Sequence, residues 1–457
     1  MRNKEISNFA VGRVSTVVLR LAWPMILAQL VSVLYNVIDR MFIGHLPDIG
    51  GRALTGLGVV FPFIAFCNAF AQWIGQGGSA YYGIERGRGN TSEAQSTLGN
   101  SCFLLLIASA GLMLLGYTCE YQLLPLFGST PETFEYSSIY WRIYLLGTPF
   151  QLLSIGLNPF IAAQGFATTA MLSVMIGAVM NIGLDFLFIS VLGFGVAGAA
   201  IATIVSQLCS AIWVVCFLSS KRSLTRLTLK YLKPLYSKCK TILSLGLANF
   251  FFLANDTLVQ SVSNAVLLAY GSHIYVGIMT VIISIFQVFG LPVYALNNAV
   301  KPFLSFNYGA GKYDRLLEGM RFILVLGCSV ALLITIIISI FPQYIFQIFT
   351  DRPEYLEHGV TPMRLYFVFF TFMNLHNIGQ TMFTSLGLAK EAAFFSLLRK
   401  IFVIIPLTII LPRIFNWGVN GVFFAESLSQ IIVGTICFSY MYHRIVKRIK
   451  RNQPLRD

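Results

Sequence analysis

The chain has 457 residues, 56% of them hydrophobic and only 11% charged, with a mean hydropathy of +0.74. Soluble domains carry about 25% charged residues, so a soluble globular protein is excluded and most of the surface must face lipid. The net charge of +14 would suit nucleic acid. Its placement, in the N-terminal segment, in 221–240 and after Tyr442, is instead that of cytoplasmic loops under the positive-inside rule, and nucleic acid is not an expected partner.

Apolar runs of about 20 residues or more, long enough to cross a bilayer, occur twelve times. They fall at roughly 17–44, 53–81, 97–118, 136–161, 168–192, 196–219, 241–269, 276–302, 320–345, 361–386, 393–411 and 419–442. The fold class expected is an all-α integral membrane protein. The first run is too long for a signal-peptide core and has no small-residue cleavage site after it, so it reads as a span. An even number of spans puts both termini on one side. The basic N-terminus, 221–240 and the tail then all face the cytoplasm from a plasma or inner membrane. The eight cysteines sit mostly in apolar runs with no C-x-x-C spacing and read as small hydrophobes.

Span one carries Asp39 within LVSVLYNVIDRMFIGHL. A carboxylate at the centre of a membrane helix costs about 2.5–3.5 kcal/mol on insertion scales, so such groups mark sites that bind or move charge. Tyr35 and Asn36 share the face of Asp39, and Pro24, fifteen residues before it, is placed to bend the helix. In span five, Asn181 and Asp185 are four apart and project from one face. These residues offer mostly hard oxygen ligands, suited to Na⁺ or a proton. Asp256 in span seven and Glu426 in span twelve are further intramembrane acids, one of which Lys301 is placed to balance. The phenylalanine-rich runs 249–252 and 367–373 fit either a cation-binding cavity wall or ordinary core.

The seven Lys/Arg and no acid of 221–240 divide the chain nearly in half, and the halves repeat. LFGSTPETFEYSSIYWRIY (126–144) aligns with IFTDRPEYLEHGVTPMRLY (348–366) at an offset of 222, and GFGVAGAAIATIVSQ (193–207) with NWGVNGVFFAESLSQ (416–430) at 223. Parallel repeats of six spans predict two bundles related by an axis along the membrane normal, with the ligand site near mid-membrane. The domains expected are an N-terminal lobe (1–220), a basic linker (221–240), a C-terminal lobe (241–443) and a basic tail (444–457).

Four stretches in order, LAWPMILAQLVSVLYNVIDRMFIGH, GFATTAMLSVMIGAVMNIGLDFLFISVLGFGVAGAAIATIVSQ, KPFLSFNYGAGKYDR and SLLRKIFVIIPLTIILP, resemble the multidrug and toxic compound extrusion (MATE) family. The resemblance covers essentially the whole chain. It implies two six-helix lobes around a V-shaped cavity, and export of organic cations against inward H⁺ or Na⁺. The family's N-lobe cation site then falls on Asp39, Asn181, Asp185 and Thr203, with Tyr35, Tyr140 and Asn158 as polar cavity positions. Asp256 takes the acidic position of span seven and Pro24 the bending position of span one. Span ten departs from members with a C-lobe ion site, because it carries no acid.

The function expected is therefore antiport: a cationic small molecule leaves as H⁺ or Na⁺ enters, in a lipid-embedded monomer with no cofactor beyond the coupling ion. The alternative within the same superfamily is a lipid-linked saccharide flippase, which would want a cationic cavity for pyrophosphate. A membrane enzyme is disfavoured. The Asn181-x-x-x-Asp185 spacing lacks the second Asp of a prenyltransferase motif, and no H-E-x-x-H or nucleophile–base pair is present.

Overall fold

The structure, a computed structural model, describes residues 9–44, 50–271, 273–348, 353–414 and 417–451. No strand occurs among them, and the chain divides into two compact units, Met1–Gly246 and Leu247–Asp457.

The first unit contains α1 (Val14–Gly44), α2 (Gly50–Gly87), α3 (Thr91–Thr118), the short α4 (Glu120–Leu126), α5 (Pro131–Ala163), α6 (Ala167–Asp185) and α7 (Gly195–Ser219). A π-helical turn, Phe186–Val191, extends α6. Pro131 opens α5 behind Thr130, whose N–H is accepted by Thr133 Oγ1 at 3.0 Å, so the helix start is capped from within. α5 is the central helix, packed on α2, α3 and α7, while α1 lies along α6. α1 runs through Pro24 as one helix.

The second unit takes in most of α8 (Tyr236–Tyr270), then α9 (His273–Gly309), α10 (Tyr313–Ile340), the short α11 (Pro342–Gln347) and α12 (Pro353–Phe367). α13 (Met373–Ser385), α14 (Ala389–Leu397), α15 (Ile405–Ile414), α16 (Val419–Met441) and α17 (Lys447–Lys450) follow. A π-helical turn, Leu398–Ile404, joins α14 to α15, and another, Tyr442–Val446, joins α16 to α17, so the start of the basic tail is helical.

Among the described residues, ten helices are long and apolar enough to cross a membrane. The two further spans expected from the sequence are α8 and the α12–α13 pair. The second of these is interrupted after Phe367, where a 3₁₀ turn, Phe370–Phe372, intervenes. Ser427 of α16 accepts the Phe369 N–H there at 2.9 Å, replacing a lost helical bond. Irregular backbone at membrane depth is tolerated where protein groups satisfy it in this way. The same phenylalanine run supplies core: Phe367 and Phe370 are buried against Phe286, with ring centroids 6.0 and 5.5 Å away.

The internal repeat is visible in the backbone. Left-handed glycines recur in pairs: Gly89 (φ 80°) with Gly311 (φ 69°), Gly165 (φ 95°) with Gly387 (φ 78°), and Gly195 (φ 55°) with Gly418 (φ 51°). The first two pairs are 222 residues apart and the third 223, the offsets of the sequence repeat. The hydrogen bonds repeat as well. Gly89 N–H reaches Arg86 O and Asn90 N–H reaches Glu85 O, as Gly311 reaches Tyr308 O and Lys312 reaches Asn307 O. This is the helix-ending pattern that glycine permits.

The basic segment 221–240 is not a loose connector. Buried Gln164 accepts hydrogen bonds from Ser223 Oγ (2.9 Å) and the Leu224 N–H (2.8 Å), and Asn100 Oδ1 accepts from the Leu235 N–H at 2.7 Å. Tyr82 bonds Thr225, and Lys238 pairs with Glu93. The first turns of α8 continue this attachment, with the Trp73 indole N–H on Leu243 O at 2.7 Å. The Trp73 carbonyl stands where a Cβ on Gly246 would lie, and the Ile242 carbonyl where one on Gly77 would lie. Only glycine allows this backbone approach between α2 and α8. Gly246→Leu should therefore cost at least about 1–3 kcal/mol, the usual range for overpacking. The expected readout is a lower aggregation temperature in detergent, by size-exclusion chromatography after a heat step.

Candidate functional site

In the first unit, α1, α5, α6 and α7 bring one acid pair and its polar neighbours together. Asp39 of α1 and Asp185 of α6 are both buried, and the charged group that acts on Asp185 is the Asp39 carboxylate. Tyr140 of α5 lies within electrostatic reach of both acids and of Tyr35, and its hydroxyl is 3.5 Å from Thr203 Oγ1 of α7. Asn181 is buried one turn before Asp185 on α6. Both amide atoms of Asn181 lack a hydrogen-bond partner among the described residues, the Asp185 carboxyl has only the Asp39 carboxyl within hydrogen-bonding reach, and Asp185 forms no ion pair with a described Lys or Arg.

The local sequence explains the arrangement. Asn181 and Asp185 share a helix face, and the π-helical turn begins at the next residue. Such turns are frequent at functional sites because they re-aim side chains without ending the helix. Two like charges held side by side at low dielectric repel, so the pair gains from taking up a proton or a monovalent cation. The Asn181 amide oxygen and the Tyr140 and Thr203 hydroxyls are further hard donors beside it. The residues present therefore fit H⁺ or Na⁺. Among the described residues no group of three or more His, Cys, Asp or Glu forms a metal cluster.

Five of the sequence candidates, Tyr35, Asp39, Tyr140, Asp185 and Thr203, thus meet, with Asn181 alongside. The side chain of Asn36 lies outside the described residues. Asn158 is not brought to the pair. It sits 18 residues along α5 from Tyr140, about 27 Å at 1.5 Å per residue, and its amide donates to Ala170 O (2.8 Å) and Ser173 Oγ (2.5 Å) near the start of α6. It ties two helices together. Asp256 belongs to the second unit, where its Oδ1 is 2.5 Å from Lys400 Nζ. Glu426 is paired with Arg399. Lys301, expected to balance one of these acids, forms no ion pair among the described residues; Arg399 and Lys400, not singled out in the sequence, do so instead.

Tyr144 joins this group without being a site candidate from the sequence. It stacks on Tyr140 (centroids 6.0 Å apart), is within electrostatic reach of Tyr35, and donates its hydroxyl to Gln151 Oε1 at 2.6 Å. Its four-residue spacing from Tyr140 was the available signal.

The MatE family model matches residues 24–187 and 250–410. The chain belongs to the MatE family. Curated relatives in the family include the multidrug export protein MepA of Staphylococcus haemolyticus (strain JCSC1435), 24% identical over 445 residues, covering 96% of this chain and 94% of the relative. MepA of Staphylococcus saprophyticus is 22% identical, with 96% and 94% covered. Among solved structures, a MATE protein crystallised in the bent conformation superposes with a TM-score of 0.91 at 22% identity, covering 98% of this chain and 99% of that one. A MOP superfamily transporter from Pyrococcus furiosus Vc1 (DSM3638) gives 0.90 at the same identity and coverage. As a MatE protein the chain is a multi-pass membrane transporter and not an enzyme.

Proposed function

We propose that this MatE protein is a secondary active antiporter that exports organic cations in exchange for H⁺ or Na⁺ bound at Asp39 and Asp185. The observation that carries the reading is the buried pair itself, with Asp185 facing an acid and, among the described residues, no fixed cation. The names of the relatives, multidrug export proteins, support a drug-like cargo. With the pair ionised, a cationic substrate is attracted. With H⁺ or Na⁺ bound, that attraction is cancelled and the substrate is released. Coupling requires each ligand to favour a different conformation, and Pro24, which withdraws one backbone bond from α1, provides a point where that helix can bend. The protein works as a monomer with both termini in the cytoplasm.

The test is ethidium efflux from right-side-out vesicles with pH and Na⁺ gradients imposed separately. One of the two gradients should drive efflux of the wild-type protein, and the other should not. Efflux indifferent to both gradients ends the antiport reading.

A further inference from the structure

The repeat gives the polar neighbours of the first unit's acid pair counterparts in the second, although the acids themselves do not correspond: at 222, Asp39 falls on Ser261 and Asp185 on Leu407. At the offset of 223, Thr203 corresponds to Glu426 and Gln207 to Gln430; at 222, Tyr144 corresponds to Tyr366. The counterpart residues are also assembled. Gln430 Nε2 donates to Glu426 Oε1 at 3.4 Å, and Tyr366 is within electrostatic reach of Glu426, Arg399 and Asp256. Both units thus hold two acids among hydroxyl and amide groups.

Their counter-charge differs. Arg399 and Lys400 both lie in the π-helical turn Leu398–Ile404 and point at separate acids, Arg399 Nη2 at Glu426 and Lys400 Nζ at Asp256. Lys400 also acts electrostatically on Glu426. The corresponding stretch of the first unit is Ile176-Gly177-Ala178, which has no charge to offer. Two acids with one guanidinium and one ammonium are neutral as a set. Arg399 is fixed in the core, its side chain 1% exposed, whereas the Lys400–Asp256 pair sits at the edge, with the Asp256 side chain 48% exposed.

We propose that Lys400 is a tethered counter-ion that keeps the Asp256–Glu426 cluster from taking up a mobile cation. An ammonium is a compact, strongly hydrated point charge, closer to Na⁺ in character than a guanidinium is. Anchored to its helix, it has already lost the translational freedom that a free ion loses on binding. Removing it leaves one uncompensated negative charge beside Arg399, at a partly exposed carboxylate that a small cation can reach. Lys400 therefore determines which of the two acid clusters exchanges ions.

The test uses the full chain carrying Asp39→Asn and Asp185→Asn, so that the acid pair of the first unit contributes no carboxylate and the result does not depend on the function proposed for it. Equilibrium ²²Na⁺ binding is measured on the purified protein at alkaline pH. The background protein should bind no Na⁺. Adding Lys400→Met should create binding of one Na⁺ per chain, adding Asp256→Asn to that should abolish it, and Lys400→Arg should leave Na⁺ excluded. Lys400→Gln, which keeps an N–H donor toward Asp256, serves in the same role as Lys400→Met and covers poor folding of the latter. A well-folded Lys400→Met or Lys400→Gln protein that binds no Na⁺ overturns the proposal, and so does Na⁺ binding by the Lys400→Arg protein equal to that of Lys400→Met.

Discussion

Asp185→Asn should lower the initial rate of gradient-driven ethidium efflux by about 100-fold while leaving the amount of protein in the membrane unchanged, since coupling free energies run to about 3 kcal/mol. Asn is nearly isosteric with Asp and removes only the charge and the proton-binding capacity. Asp39→Asn should do the same. Because the two carboxylates act on each other as one site, the effects should not add: the double variant should be no worse than either single variant. Asn158→Ala is the contrast. It deletes hydrogen bonds between α5 and α6 far from the pair, so it should lower stability but preserve the dependence on the driving gradient. Efflux assays with immunoblots for membrane content check all four. Wild-type rates in Asp185→Asn would remove the pair from the exchange mechanism.

Glu426→Gln should be among the most destabilising single changes in the second unit. Arg399 is buried, and Glu426 is the carboxylate paired with it. Breaking a buried pair by removing one partner costs about 3–5 kcal/mol, whereas replacing both with apolar residues of similar volume is often neutral or stabilising. Arg399→Met combined with Glu426→Leu should therefore recover most of the stability lost in Glu426→Gln. Thermal aggregation midpoints in detergent measure this. The contrast between the single and paired variants separates a missing counter-charge from simple loss of packing. If both variants fall equally, the cost lies in the Gln430 and backbone contacts around Glu426 instead.

The spans, the duplication and the two acids of the first unit could be read from sequence because each is a local signal. A hydrophobic run, a constant offset and a four-residue spacing survive without coordinates. Asn158 could not be placed, since on a helix that spans the membrane a polar residue near one end and another near the other look alike until depth is known. Arg399 and Lys400 are not legible for a related reason: their partners lie on α16 and α8, at crossings that no spacing along the Leu398–Ile404 turn encodes. The interruption after Phe367 was hidden in a run of uniformly apolar residues, where periodicity carries no information. The boundary between units was obscured by charge. The cluster at 221–240 looks like a linker, but buried Gln164 and Asn100 and the glycines of α2 and α8 attach it to the first unit.

That last attachment bears on how the chain can be divided. The passage from one compact unit to the other falls at Gly246 and Leu247, in the interior of α8 and not in a surface loop. A half-chain ended at residue 220 would leave the groove beside Trp73 unfilled, and one begun there would carry an orphan strip of helix made to fill it. Neither gene fragment is a self-sufficient module, so exchange of halves between relatives has to respect a seam buried inside a rod.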